Sequence, residues 1–95
     1  MHYIYILYSP SSDSYYVGET SDIAQRLEQH NNKLFEGAYT VQANDWQLFW
    51  SYACENSSLA RKIEMHIKQM KSRKYYADLK LYPEIIEKLT EKYSK

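Results

Sequence analysis

The sequence predicts an α/β chain of the α+β kind, a three-stranded antiparallel sheet flanked by helices. Three observations predict it. Two short runs rich in tyrosine and branched residues, 2–8 and 15–19, bracket a turn of proline and polar breakers. A third aromatic run, 46–54, stands between polar segments. Leu59, Ile63, Ile67 and Met70 then recur at helical spacing as an apolar stripe. Only two glycines and two prolines are present in 95 residues, so turns are short and most of the chain is helix or strand.

The first strand is His-Tyr-Ile-Tyr-Ile-Leu-Tyr at 2–8. Ser9-Pro10-Ser11-Ser12-Asp13-Ser14 makes a loop longer than the two-residue type, and 15–19 returns antiparallel. Thr20-Ser21-Asp22 supplies an N-cap and an acidic first turn for a helix from about Asp22 to His30. Ile23 and Leu27, four apart, point to its core side. Asn31-Asn32-Lys33 ends it, and 33–45 reads as an irregular surface loop. The run 46–54 is expected as a buried strand. Asn56-Ser57-Ser58 caps the long helix that carries the apolar stripe. Ser72 caps a short helix with Leu79 and Leu81 inward. Pro83 suits the first turn of a last helix bearing Ile85, Ile86, Leu89 and Tyr93.

This length suits one domain, 1–95, with a core over about 1–82 and a C-terminal helix over about 83–93. Aromatic content is 16%, and the 11 tyrosines are a large core payload that leaves many phenols to satisfy or to use. The lone cysteine, Cys54, excludes an internal disulfide and a multi-cysteine zinc site. The apolar N-terminal run stops near Leu7 without basic flanks, so no signal peptide is expected. No segment approaches the length of a membrane span, and a soluble, cytoplasmic protein is the expectation. Net charge is zero, but residues 1–59 hold Arg26 and Lys33 against seven acids, while 60–95 hold ten Lys or Arg against five. That asymmetry fits either a basic face on a neutral protein or a solvated helix surface.

Arg26 and His30 are four apart and share a helix face beside Ile23 and Leu27. One face then carries a permanent cation and a group that titrates near neutrality, although such pairs are common on surface helices. Glu64 follows the core residue Ile63 and is expected to be partly exposed. It is either the ion-pair partner of Lys68, in the favoured orientation, or a metal ligand. Magnesium keeps most of its waters, so one glutamate suffices where substrate phosphate supplies another oxygen. Tyr5 and Tyr16 lie on neighbouring strands in registers that bring both hydroxyls to one edge. A phenol has a reference pKa near ~10, and a nearby cation lowers it. His2, His66 and Cys54 share no metal-ligand spacing and are read as structural.

Taken together these residues resemble the GIY-YIG nuclease superfamily. The pattern is most similar to small, single-domain bacterial members related to the N-terminal nuclease domain of the excinuclease C subunit. Tyr3-Ile4-Tyr5 stands at the first motif and Tyr16-Val17-Gly18 at the second. Gly18-Glu19-Thr20-Ser21-Asp22-Ile23 with Arg26 is similar to the family's glycine, threonine and helix arginine, and His30 follows one turn later. Ala60-Arg61-Lys62-Ile63-Glu64 through Lys68, and Ser72-Arg73-Lys74, resemble the helix that brings in the metal-binding glutamate. The similarity covers about 1–82. Tyr3 replaces the motif's first glycine, Val17 replaces an isoleucine, and the asparagine of some larger members has no counterpart. No attached DNA-binding domain is expected.

The resemblance implies a metal-dependent endonuclease that hydrolyses phosphodiester bonds in DNA, with RNA as a second candidate, directed by structure or damage in repair or recombination. It implies catalytic roles for Tyr5, Tyr16, Arg26, His30 and Glu64, with Glu64 holding one Mg²⁺ or Mn²⁺. In that reading Gly18 serves a backbone turn beside the substrate. Lys68, Lys71, Arg73 and Lys74 bind flanking phosphates without reading sequence. A partner protein that supplies specificity is a further expectation, and no oligomeric state is implied. Two other classes stand beside it: a nucleic-acid-binding module of the same fold that does not cut, and an interaction domain using exposed tyrosines. Binding alone needs neither Glu64 nor a proton-transfer set, which favours catalysis.

Overall fold

The computed structural model describes residues 1–32 and 43–94. Most of the expected 33–45 loop therefore lies outside the described residues. The elements run β1 (His2–Ser9), β2 (Ser14–Thr20), α1 (Ile23–Asn31), β3 (Gln47–Cys54), α2 (Ser57–Met70), α3 (Arg73–Leu81) and α4 (Pro83–Tyr93). The sheet is antiparallel in the order β2-β1-β3, so β1 is central. Its pairing with β2 is unbroken from Tyr3 opposite Thr20 to Ser9 opposite Ser14. Its pairing with β3 shifts between Ile6 and Leu7.

Strand alternation sends β1 residues to two cores. Ile4, Ile6 and Val17 pack with Leu59, Ala60, Ile63 and Ile67 of α2, with Tyr76 and Leu79, and with Ile86 and Leu89. Tyr5 and Leu7 face the other way, toward Ala43, Trp46, Tyr16, Ile23 and Leu27. Helices α2, α3 and α4 thus cover one face, and α1 with the segment before β3 covers the other. Coverage on both sides explains why Ile4, Tyr5, Ile6 and Leu7 are all buried in succession.

Side chains start three of the helices. Asp22 accepts from the Gln25 N–H at 3.0 Å, Asn56 from the Leu59 N–H at 2.8 Å and Ser72 from the Tyr75 N–H at 3.1 Å. Pro83 stands at the first turn of α4. Two non-glycine residues sit in the left-handed region: Asp13 (φ 48°) in the hairpin loop and Lys71 (φ 46°) at the end of α2. The loop is braced from a distance. Asp45 accepts from Ser9 Oγ at 2.6 Å, and from the Ser11 N–H and hydroxyl at 2.9 Å each. The Ser9 bond is the main reason that the Asp45 carboxyl lies below its usual pKa.

Three expectations about packing fail. Met70 is 44% exposed, because the apolar footing of α2 ends at Ile67 and the left-handed Lys71 turns the chain away one residue later. Leu81 is 67% exposed: α3 buries Tyr76 and Leu79, and Leu81 lies roughly 200° around the helix from Leu79. The third strand is an edge rather than a buried strand. Gln47, Leu48, Ser51 and Ala53 are exposed, Phe49, Trp50 and Tyr52 are half-buried, and only Cys54 is buried. Trp50 and Tyr52, two apart on one face, stack with centroids 6.3 Å apart.

Candidate active site

The centre of the site is Tyr5, in the middle of the central strand. Its register partner on β2 is Gly18. A Cβ at that position would stand 2.6 Å from Tyr5 Oη and 3.0 Å from Tyr16 Cε2. The absent side chain is what lets the Tyr5 ring lie across β2. Gly18, expected to serve a turn, lies inside the strand instead, and its use is space rather than backbone freedom.

Tyr5 Oη and His30 Nε2 share a hydrogen bond at 3.0 Å. Tyr16 completes a triangle of rings, with centroids 4.8 Å from His30 and 6.2 Å from Tyr5. His30 is 2% exposed, so the surface reading of the Arg26–His30 pair is wrong for the histidine. The end of α1 that carries it is clamped: Asn31 accepts from the Trp46 N–H at 2.6 Å and donates to the Trp46 carbonyl at 3.0 Å. Burial, aided by the positive charge of Arg26, pushes the His30 pKa down to about 4. The imidazole is therefore neutral at physiological pH.

The Tyr5 phenol is pushed well above its usual value, first by burial and next by Tyr16. Arg26 pulls it down, while Glu64 and Glu19 push it up. The expected lowering by the cation is present, but burial outweighs it, and the resting phenol is protonated. The same balance shows that Arg26 and Glu64 both act on one hydroxyl, although α1 and α2 pack on opposite faces of the sheet.

Glu64 comes from α2, and its ion-pair partner Lys68 lies over Tyr16 of β2. Glu64 is 9% exposed, and the expectation of a partly exposed carboxylate is corrected accordingly. The packing of α2 against β2 covers it. Its ion-pair partner is Lys68, at 3.1 Å, and the Lys68 ammonium lies 5.7 Å from the centroid of the Tyr16 ring. Lys68 thus belongs to the site, half-exposed between Glu64 and Tyr16, a placement that the Glu64–Lys68 spacing signalled in part. The Asn31 clamp had no sequence signal.

The other basic residues are not part of this cluster. Arg73 is tied to the hairpin loop, pairing with the Asp13 carboxylate at 2.8 Å and donating to the Asp13 carbonyl. Its guanidinium lies 5.3 Å from the centroid of the Tyr15 ring. Lys74 pairs with Asp78 at 2.9 Å. Lys71 lines an open cleft with Arg73, Asp13 and Ser14. Among the described residues no cluster of three or more His, Cys, Asp or Glu could hold a metal, and no helix is long and apolar enough to cross a membrane.

The tyrosine on the central strand, the glycine opposite it and the histidine hydrogen-bonded to it sit on a three-stranded antiparallel α+β frame. The family model described as the GIY-YIG catalytic domain matches residues 1–77, and the chain belongs to the GIY-YIG family. Among solved structures it is similar to the solution NMR structure of the UPF0213 protein BH0048 from Bacillus halodurans. The two are 27% identical, with 85% of this chain and 84% of that one covered, and a TM-score of 0.51. No curated protein matched the chain. The α4 helix lies beyond the family match.

Proposed function

We propose that the chain is a metal-dependent endonuclease that hydrolyses phosphodiester bonds in DNA, directed by the structure or damage of its substrate in repair or recombination. The observation that carries this reading is the 3.0 Å Tyr5–His30 hydrogen bond beside Tyr16, over whose ring lies the Lys68 ammonium that pairs with Glu64. A buried phenol joined to a neutral imidazole is a proton-transfer pair, and a binding surface has no need of one.

In the tautomer that leaves His30 Nε2 unprotonated, Tyr5 donates its O–H to it and keeps a phenol lone pair to accept from a water. As that water attacks phosphorus, Tyr5 takes its proton and passes its own to His30. The P–O bond to the leaving oxygen breaks, and the departing alkoxide is protonated by solvent. Arg26 neutralises charge on the scissile phosphate. That same anion offsets the Arg26 charge which helps to hold His30 down, so substrate raises the acceptor strength of the imidazole when it is needed. The Tyr16 hydroxyl orients the water or the phosphate.

A Mg²⁺ or Mn²⁺ ion fits Glu64, a hard oxygen donor already paired with a cation, and one carboxylate is enough where phosphate adds oxygens. When bound it would supply charge stabilisation for the leaving oxygen. Lys68, Lys71, Arg73 and Lys74 take flanking phosphates. For Arg73 and Lys74 this means exchanging Asp13 and Asp78, in exposed, salt-screened pairs that give way readily.

The test is incubation of the full chain with labelled branched, nicked, duplex and single-stranded DNAs, and with RNA, in Mg²⁺ or Mn²⁺. Strand cleavage that chelation and Tyr5→Phe both abolish is the expected result. Retained binding with uncut strands under every condition would replace the nuclease with a non-cutting module of the same fold.

A further inference from the structure

We infer that Lys68 is an exchangeable counter-ion, whose ammonium holds the Glu64 carboxylate until a divalent cation displaces it onto substrate phosphate. This rests on the reading of Glu64 as the metal ligand, and deepens it.

Three observations lead here. The Lys68 ammonium stands 3.1 Å from Glu64 Oε1, one of the two oxygens that a hard cation on that carboxylate would use. It also lies over Tyr16, 5.7 Å from the ring centroid, so it is held by two residues of the site at once. Yet the Lys68 side chain is 49% exposed, while that of Glu64 is only 11% exposed. The carboxylate is fixed by packing. The ammonium is on a flexible stem with open solvent beside it, and can leave without unpacking anything.

Charge supplies the direction of the exchange. Arg26 and Lys68 balance Glu64 and Glu19 around the Tyr5 phenol. A divalent cation entering beside an ammonium that stays on Glu64 would leave that field net positive and be repelled, so the half-exposed Lys68 withdraws as the ion arrives. Once displaced, it is a solvated ammonium beside Tyr16, at the mouth of a site built for a phosphodiester. Binding of the metal therefore creates a phosphate contact. By linkage, phosphate that draws Lys68 away also favours the metal. The pair makes the empty site a poor trap for divalent ions, and couples loading of the metal to arrival of nucleic acid.

The test uses the full chain and Mn²⁺ alone, with bound ion read from the electron paramagnetic resonance of free Mn²⁺. Lys68→Met and Lys68→Gln should each bind Mn²⁺ about three- to sixfold more tightly than wild type, the range of a partly exposed ion pair. Their melting temperatures should rise more with added Mn²⁺ than that of wild type. In a Tyr5→Phe background, which removes the proton acceptor, duplex binding should gain a salt slope steeper by about one contact when Mn²⁺ is added. That gain should vanish with Lys68→Met. Lys68 variants with unchanged or weaker Mn²⁺ affinity, alongside a Glu64→Gln variant that has lost it, would overturn the exchange and leave the metal reading intact. Mn²⁺ binding in Glu64→Gln equal to that of wild type would overturn the metal reading, and the exchange with it.

Discussion

On one face of β1, Ile4 and Ile6 meet Ile63, Ile67, Leu79 and Ile86; on the other, Tyr5 between them meets Tyr16, His30 and the fields of Arg26 and Glu64. Both faces are buried. The first gains stability mainly by removing aliphatic surface from water, although Tyr76 brings a phenol into the same core. The second buries a phenol and an imidazole that share a hydrogen bond. The aliphatic face therefore carries the stability of the sheet, and the aromatic face carries groups whose proton affinities burial has moved. Alternation along a single strand keeps these two tasks within one residue of each other.

The largest effect on folding is expected from the aliphatic side. Ile63 is fully buried under the sheet, and Ile63→Ala should cost about 2–5 kcal/mol by removing methyl groups and leaving a cavity. Denaturant unfolding measures it. Cleavage at a temperature where the variant remains folded should be little changed, and a large loss there would show that the faces are coupled.

Acid should break the aromatic side first. The folded pKa of His30, about 4, is below its unfolded value near ~6.5, so the unfolded chain binds the extra proton between them. The contribution of His30 is complete above that upper value and is lost as pH falls toward the lower one, on the order of 3 kcal/mol in all. His66, lowered by burial and Lys92, adds a slope of the same sign. The measurement is unfolding free energy against pH for wild type and His30→Gln. The variant should lose most of the wild-type decline, and two parallel curves would show that His30 does not carry it.

An intermediate effect is expected at Gly18. The Cβ of Gly18→Ala would meet Tyr5 Oη at 2.6 Å and Cζ at 2.7 Å, which no ordinary contact allows. The ring must shift, with a cost of about 1–3 kcal/mol from overpacking. Because the shifted atom is the one bonded to His30, cleavage should fall by far more than stability does. Unimpaired cleavage would mean that the position of the Tyr5 hydroxyl over β2 is not required.

Periodicity made much of this legible. The hairpin, the α2 stripe as far as Ile67 and the side-chain N-caps of three helices were readable because strand and helix repeat at different periods and start on specific residues. The burial of His30 was also within reach, since Ile23, Leu27 and His30 fall at i, i+4 and i+7, one apolar stripe. What had no signal was non-local and polar. Asp45 bracing Ser9 and Asn31 clamping Trp46 link residues far apart in sequence by single side chains, and no repeat announces such contacts. The depth of Glu64 was hidden for a related reason. A position next to Ile63 is on the border of the stripe, and only the packing of α2 against β2 decides on which side of that border it falls.

The smallest effect on folding, and the sharpest separation of the two faces, should come from Glu64→Gln. A buried ion pair that loses one member is costly when it strands the other charge in the interior. Here the surviving charge would be Lys68, half-exposed and free to turn into water. The glutamine keeps the shape and polarity of the side chain it replaces. Stability should therefore change by less than about 1 kcal/mol, the ordinary worth of a pair with one solvated member. Cleavage should disappear with the oxygen donor for the metal. Nucleic-acid affinity should hold or rise, since one negative charge facing phosphate has gone and Lys68 is released. Melting temperature, duplex affinity and cleavage measured side by side decide the matter. Cutting at the wild-type rate would remove Glu64 from the chemistry and return its pairing with Lys68 to the scaffold.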